Sequence, residues 1–319
     1  MACLWWMFLV LQTLCSCLAM PSATVQVLPP ASPKRITHAD LVKAVTSTCS
    51  LVLTSDVVLR GDLPEVNSTA CPEVRIVGRC RGRKLCRIDG AGKYSFIHGA
   101  ERLLLKNLEI TRMRGGNMGR APVLSDTTNA TIIGCRVTNN VDLISWGVVR
   151  VPLTVKNTVF EGNQGGAIEI DDRYVYATDV VFRSNRRKNG AAVWNMEGRF
   201  YCTRCLFEGN IAEEKGGAVY LVDTDNTGAI FKSCRFVGNK VVGKGGVGGA
   251  VYMTNLDPGV SFCHCQFSRN TADGKLNHVY INGMADSIAY FCPARPRSGI
   301  VITPKTSEAF VKDGCTGCN

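Results

Sequence analysis

Asp171, Asp172 and Arg173 are consecutive, and Arg186, Arg187 and Lys188 follow close behind them. Two neighbouring carboxylates can divide the acid and base work of hydrolysing a glycosidic bond. A carboxylate beside cations can instead take the C5 proton of a uronate while the cations, or a calcium ion, neutralise the sugar carboxylate. Asp171, Asp172 and Arg173 are therefore the candidate catalytic residues if the chain is an enzyme, and its class would be polysaccharide lyase or glycoside hydrolase. Calcium is expected only in the lyase case, and otherwise no cofactor. The only histidines, His38, His98, His264 and His278, stand in no catalytic motif.

Two further motifs imitate chemistry. Residues 241–252, VVGKGGVGGAVY, look like a phosphate-binding loop, yet Gly249 stands where a phosphate-reaching lysine belongs and Ala250 where a magnesium-holding hydroxyl belongs. No nucleotide is expected. Cys202-Thr-Arg-Cys205 and Cys315-Thr-Gly-Cys318 have zinc-ligand spacing but lie far apart in the chain. In an oxidising compartment such pairs read as disulfides, and no metal site is expected.

Elements to hold these groups come from a repeat. Phe160-Glu-Gly-Asn163, Phe182-Arg-Ser-Asn185, Phe207-Glu-Gly-Asn210, Phe236-Val-Gly-Asn239 and Phe267-Ser-Arg-Asn270 recur, with a weaker copy at Val137-Thr-Asn-Asn140. The first four lead into Gly165-Gly166-Ala167-Ile168, Gly190-Ala191-Ala192-Val193, Gly216-Gly217-Ala218-Val219 and Gly248-Gly249-Ala250-Val251, and the fifth into a decayed Asn277-His278-Val279. Steps of roughly 22–31 residues are the length of one solenoid coil of short strands, which buries its apolar face only by stacking on its neighbours.

Equivalent residues of stacked coils lie about 4.8 Å apart, so each repeat position becomes a column. Cys135, Thr158, Val180, Cys205, Cys234 and Cys265 share parity with the phenylalanines and are expected inside, as packed thiols or with a disulfide between neighbours. Trp194, Tyr220, Tyr252 and Tyr280, headed by Glu169, are expected outside as an exposed aromatic row. Such a row either props the strands or stacks sugar rings. With Arg183, Arg186, Arg187 and Lys188 it forms the candidate ligand-binding set. Asp172, Glu197, Asp223 and Asn255, with Asp171, Asp225 and Asp257 nearby, make a polar column of solvated turn residues or, alternatively, a calcium site.

The paired FxxN and GGA[ILV] segments resemble the repeat of polymorphic outer-membrane proteins and of related secreted right-handed parallel β-helix proteins of the pectin-lyase-like class. The resemblance is strong over residues 157–283 and looser over 70–156, through CRIDGAGKYSFIHGAERLLLKNLEITRMRGG. It implies an all-β, single-stranded right-handed parallel β-helix. About activity it implies little, because such solenoids carry adhesins, lyases, hydrolases and inert coats alike. Asp171-Asp172 is similar to the paired aspartates of polygalacturonases, but the GHG and RIK signatures of that family are absent.

Residues 1–19 form an uncharged apolar run ending in Cys17-Leu18-Ala19, the pattern of a secretory signal cut after Ala19. Membrane association is expected only if that leader stays uncleaved. Residues 20–69 are read as an N-terminal segment in which Thr37 to Thr48 forms a capping helix through Leu41, Val42 and Val45. Residues 70–291 are read as the β-helix, and 292–319 as an irregular, cysteine-containing C-terminal cap. The 16 cysteines fit an oxidising compartment. Removing Cys3, Cys15 and Cys17 with the leader leaves 13, an odd number, so at least one thiol is unpaired within the chain. Cys71, Cys80 and Cys86 are placed to staple the first coils. Asn67 and Asn129 open N-glycosylation acceptor patterns, which matter in a eukaryotic secretory pathway.

The net charge of +11 favours acidic partners, and much of it gathers in Arg75, Arg79, Arg81, Arg83, Lys84 and Arg87 and in the 183–188 cluster. For a secreted chain the expected partners are acidic polysaccharides or extracellular proteins, not nucleic acid. The leading expectation is a secreted, non-catalytic β-helix protein of a cell surface, wall or extracellular matrix that binds along its flank. A pectate-lyase-like enzyme and a purely structural coat protein are the alternatives.

Overall fold

The computed structural model describes residues 35–115, 120–142, 147, 149–225, 228–257, 259–282, 288–303, 311–315 and 318, with backbone alone for 223–225 and 257. The expected leader, residues 1–19, lies outside them. A full coil visits four sheets in turn, whose described strands pair in parallel except for Thr271–Ala272 with Lys275–Leu276, which pair antiparallel. In one coil Ile168–Asp171 lies in sheet 1, Tyr174–Thr178 in sheet 2, Val181–Arg183 in sheet 3 and Arg186–Asn189 in sheet 4. Among the described residues sheet 2 has 11 strands and sheets 1 and 3 have nine each. Sheet 4 is shorter, with five strands from Arg186–Asn189 onward and a separate pair, Arg114–Gly115 with Val141–Asp142.

The repeat sets the register. Phe160, Phe182, Phe207, Phe236 and Phe267 are partners across sheet 3, with successive ring centroids 5.3, 5.0, 4.6 and 4.8 Å apart. Phe231, Phe262 and Phe291 stack likewise from sheet 2, and Phe207, Phe236 and Phe267 meet rings of that second stack edge-on. Each buried phenylalanine removes enough apolar surface to stabilise the stack by about 1.5–3 kcal/mol. The cysteine column points inward as expected, although its last member, Cys265, is only half-buried.

The asparagine that closes each FxxN segment does more than mark the turn. Asn140, Asn163, Asn185, Asn210, Asn239 and Asn270 are fully buried and form a ladder between sheets 3 and 4. The Asn210 Nδ2 donates to the Phe182 carbonyl at 3.0 Å and to the Asn239 Oδ1 at 2.9 Å. Its Oδ1 accepts from the Asn185 backbone N–H at 3.1 Å and from the Asn185 Nδ2 at 3.0 Å. Asn163, Asn185 and Asn239 repeat the pattern, so the backbone groups exposed by each sharp turn are satisfied by the next coil.

Glycines appear where the chain doubles back. Gly248 has φ +70°, and a Cβ on Gly249 would sit 2.5 Å from the Asn277 carbonyl oxygen and the Thr271 nitrogen. The loop that imitates a phosphate site is thus a turn pressed against the following coil.

At the N-terminal end Thr37 starts helix α1, His38–Lys43, where the Asp40 carboxylate accepts the Thr37 N–H at 2.9 Å. The expected helix continues as a wider π-type turn, Ala44–Thr48, with Leu41, Ala44 and Val45 buried. Cys49–Cys71 and Cys80–Cys86 staple the first coils. Beyond Cys292 the tail adds strands Ile300–Thr303 to sheet 1 and Val311–Asp313 to sheet 2. The two CxxC pairs differ: Cys202 bonds Cys205, whereas Cys315 and Cys318 tie the tail to the stacked partners Cys292 and Cys263. Cys135, Cys234 and Cys265 remain thiols.

Candidate functional site

The expected aromatic row exists on sheet 1. Trp194, Tyr220, Tyr252 and Tyr280 are register partners with ring centroids 6.4, 5.1 and 5.6 Å apart. It is not an exposed platform. Tyr252 is 3% exposed and the other three are half-buried. The reason is sheet 4: the residues after Asn140, Asn185, Asn210, Asn239 and Asn270 form strands that turn back beside sheet 1. Arg187 lies 5.1 Å from the Trp194 ring and Lys215 lies 5.0 Å from the Tyr252 ring. Ala212, Val241 and Ala272 of sheet 4 form a small buried cluster of their own.

The charged constellation is brought together in part. Arg187 is buried and pairs with buried Glu169 at 2.7 Å, while Arg150 reaches Glu169 at 3.2 Å and Asp171 at 2.8 Å. Burial pushes the Glu169 carboxyl up to about 6 against the pull of Arg187 and Arg150, and burial lowers Arg187 despite its partner. Asp171 and Arg187 therefore belong to one ionic cluster. Asp172 stands outside it, exposed at φ 49°, and Arg186 is exposed as well. Lys188 pairs with Glu214, and Arg183 with Glu208 on sheet 3. Arg173 is half-buried, and its Nε has no partner among the described residues. Asp172, Glu197 and Asn255 have φ between 49° and 58°, which makes that column a row of left-handed turns between sheets 1 and 2. The side chains of Asp223, Asp225 and Asp257 lie outside the described residues.

The outer face of sheet 2 offers what sheet 1 withholds. Tyr174 and Tyr176 are 46% and 49% exposed. Tyr176 stacks on half-buried Tyr201 at 5.1 Å with planes 5° apart, and Arg199 lies 5.0 Å from the Tyr174 ring. A depression of about 460 Å³ is lined by Thr128, Asn129, Pro152, Thr154, Tyr174 and Tyr176. It adjoins, at Asn129, a second of about 270 Å³ that includes Glu73, Arg102 and Thr131. From strand Glu73–Gly78 to strand Ala229–Lys232 the only carboxylate in this sheet is Glu73, against outward Arg75, Arg102, Lys106, Lys156, Arg199 and Lys232.

Sheet 3 does the opposite. Arg87–Glu109 and Arg136–Glu161 at 2.9 Å and Arg183–Glu208 at 2.8 Å spend its charges on neighbouring coils. The first basic cluster is partly spent too, Arg75 on Glu73, Arg83 on Asp56 and Arg87 on Glu109. Outward tyrosines and cations alternate with buried residues in RLLLK, LTVK, YVYAT and RFYCT, and that parity was the readable signal for this face.

The family described as right handed beta helix region matches residues 123–286, just over half of the chain. The chain belongs to that family. No curated protein and no solved structure matches it.

One more arrangement in this right-handed β-helix protein has the composition of a nucleophilic site. His98 and Ser125 are register partners in sheet 1, with Nδ1 and Oγ 2.7 Å apart, and the Ser125 hydroxyl donates to Asp126 at 2.8 Å. A hydroxyl has one proton and a carboxylate only accepts, so His98 must be the donor to Ser125. That is the reverse of a base activating serine. Burial, with help from Arg120, lowers His98 to about 4, so the ring is neutral. Asn67 and Asn129, the expected glycan acceptors, are both exposed.

Proposed function

We propose that this right-handed β-helix protein is a secreted, non-catalytic protein of a cell surface, wall or extracellular matrix that binds acidic polysaccharide along the outer face of sheet 2. The observation that carries this reading is the coincidence, on one face, of the exposed tyrosines Tyr174 and Tyr176 with Arg102, Lys106, Lys156 and Lys232, which form no ion pair among the described residues. Sugar rings stack on Tyr174 and Tyr176, while Arg102, Lys106 and Lys156 meet uronate or sulfate groups. Among the described residues Arg102, Lys106, Lys156 and Lys232 form no ion pair, so a ligand breaks no internal bridge by engaging them. The parallel strands present equivalent positions at about 4.8 Å intervals, a repeat suited to a periodic polymer.

Retention on immobilised polyuronate across a salt gradient tests the proposal. Tyr174→Ala with Tyr176→Ala should weaken binding about tenfold, since each stacking contact contributes about 0.5–1.5 kcal/mol. Lys106→Glu with Lys156→Glu should abolish retention at low salt and flatten the salt dependence. Tyr252→Ala, in the covered row of sheet 1, should change stability but not retention. Equal retention of all variants would refute the proposal. Release of unsaturated or reducing ends from polygalacturonate or alginate would replace it with catalysis.

A further inference from the structure

Cys205, Cys234 and Cys265 occupy one inward position on successive coils, since the residues that follow them, Leu206, Arg235 and Gln266, are register partners. Cys202 bonds Cys205, with Cα atoms 6.0 Å apart. The Sγ atoms of Cys202, Cys205 and the free thiol Cys234 all lie within 4.8 Å of one another. The Cys234 thiol donates to the Cys202 carbonyl at 3.2 Å. Cys265, half-buried at the end of the column, donates to the Phe231 carbonyl at 3.3 Å and interacts with Cys234. The third thiol, Cys135, is set apart from these by Thr158 and Val180 in the same column.

We propose that Cys202, Cys205, Cys234 and Cys265 form a thiol–disulfide exchange site, in which a single disulfide moves between registers along the column. In the first step the Cys234 thiolate attacks the Cys205 sulfur. The Cys205–Cys234 bond forms, the Cys202–Cys205 bond breaks, and Cys202 leaves as a thiolate that takes up the proton Cys234 gave up. In the second step the Cys265 thiolate attacks the Cys234 sulfur: the Cys234–Cys265 bond forms, the Cys205–Cys234 bond breaks, and Cys205 leaves as a thiolate that takes up the proton Cys265 gave up. The number of disulfides is unchanged throughout, so no external oxidant or reductant is required. The Cys234 sulfur lies within 4.8 Å of both bonded sulfurs, and coils stacked about 4.8 Å apart fall within the Cα range that a disulfide spans. Burial raises the Cys234 thiol well above its ordinary range, so exchange is slow near neutral pH and accelerates as pH rises. The result is a bond that begins within one coil and ends between two coils at the half-buried end of the column.

The test is disulfide mapping of the folded wild-type chain, held at pH 6 or at pH 8.5, then acid-quenched, alkylated on unfolding and digested. Trypsin cuts after Arg204, between Cys202 and Cys205, so the first two registers release different linked peptide pairs, whereas Cys234–Cys265 adds the Cys234 peptide to the larger assembly already held together by Cys263–Cys318 and Cys292–Cys315. Incubation at pH 8.5 should raise the Cys205–Cys234 and Cys234–Cys265 pairs several-fold over pH 6, with matching alkylation of Cys202. Cys135 should remain an alkylated thiol throughout. Cys234→Ser, close in volume, should show Cys202–Cys205 alone at both pH values. A wild-type map with only Cys202–Cys205 after incubation overturns the proposal. Cross-links to Cys135 as frequent as those to Cys234 overturn it equally, because they mean exchange through the unfolded chain.

Discussion

Replacing Asn210 by alanine should be among the most damaging polar substitutions in the protein. The Asn185 backbone N–H loses its acceptor at 3.1 Å and the Phe182 carbonyl loses its side-chain donor at 3.0 Å. The Asn185 Nδ2 and the Asn239 Oδ1 each lose one of two partners. All of these groups are buried, so water cannot substitute for the missing amide without opening the stack. A buried donor left unsatisfied costs about 1–3 kcal/mol and the weakened bonds add further, for a total of about 3–5 kcal/mol. With a urea dependence of about 2–3 kcal/mol per molar, the midpoint of unfolding should fall by roughly 1–2 M. Asn210→Asp keeps the acceptors, loses both donated bonds and buries a charge, so at pH 7 it should be at least as destabilising as alanine. Asn129→Ala, on an exposed position, is the control and should stay within about 0.5 kcal/mol of wild type. If Asn210→Ala matched that control, the ladder would be packing without energetic consequence and the reasoning would fail.

Two predictions concern buried charge. His98 is 1% exposed and is lowered from 6.5 to about 4, so protonation favours the unfolded chain; its contribution is complete above pH 6.5 and is lost as pH falls toward 4, about 3 kcal/mol in all. The pH–stability curve of His98→Asn should be shallower than wild type over that window, and superimposable slopes would contradict the assignment. Arg187→Met removes one partner of buried Glu169 and should cost about 3 kcal/mol in chemical unfolding, while adding Glu169→Leu should recover most of the loss. Absence of recovery would mean that the pair is not the source of the cost.

How far the sequence could be read differs from residue to residue. The FxxN spacing exposed the coil, and parity put Phe182 and Phe207 inside; the same parity, applied to YVYAT, carries the outward position of Tyr176 that the reading of the aromatic column passed over, because a shift of one residue would exchange the faces of a strand. The same asparagines showed only that a turn follows; their buried hydrogen bonds to Phe182 and Asn185 exist because the neighbouring coil arrives in register. Consecutive Arg186 and Arg187 are equivalent as a charge cluster, yet one is exposed and the other buried against Glu169. Cys202-Thr-Arg-Cys205 and Cys315-Thr-Gly-Cys318 share a spacing and differ in their bonds, since only the tail has to reach Cys263 and Cys292.

By itself, then, the sequence determined the coil, its register and the direction of each side chain relative to its own strand, because these follow from local periodicity. Only the tertiary structure decided which outward faces stay outward. Tyr252 and Tyr176 both point away from the core of the solenoid, but sheet 4 turns back beside the first and leaves the second open. Burial by a distant strand depends on where that strand travels, and no spacing within a coil encodes that path. For the same reason the candidate binding face lies on sheet 2 and not on the aromatic row of sheet 1.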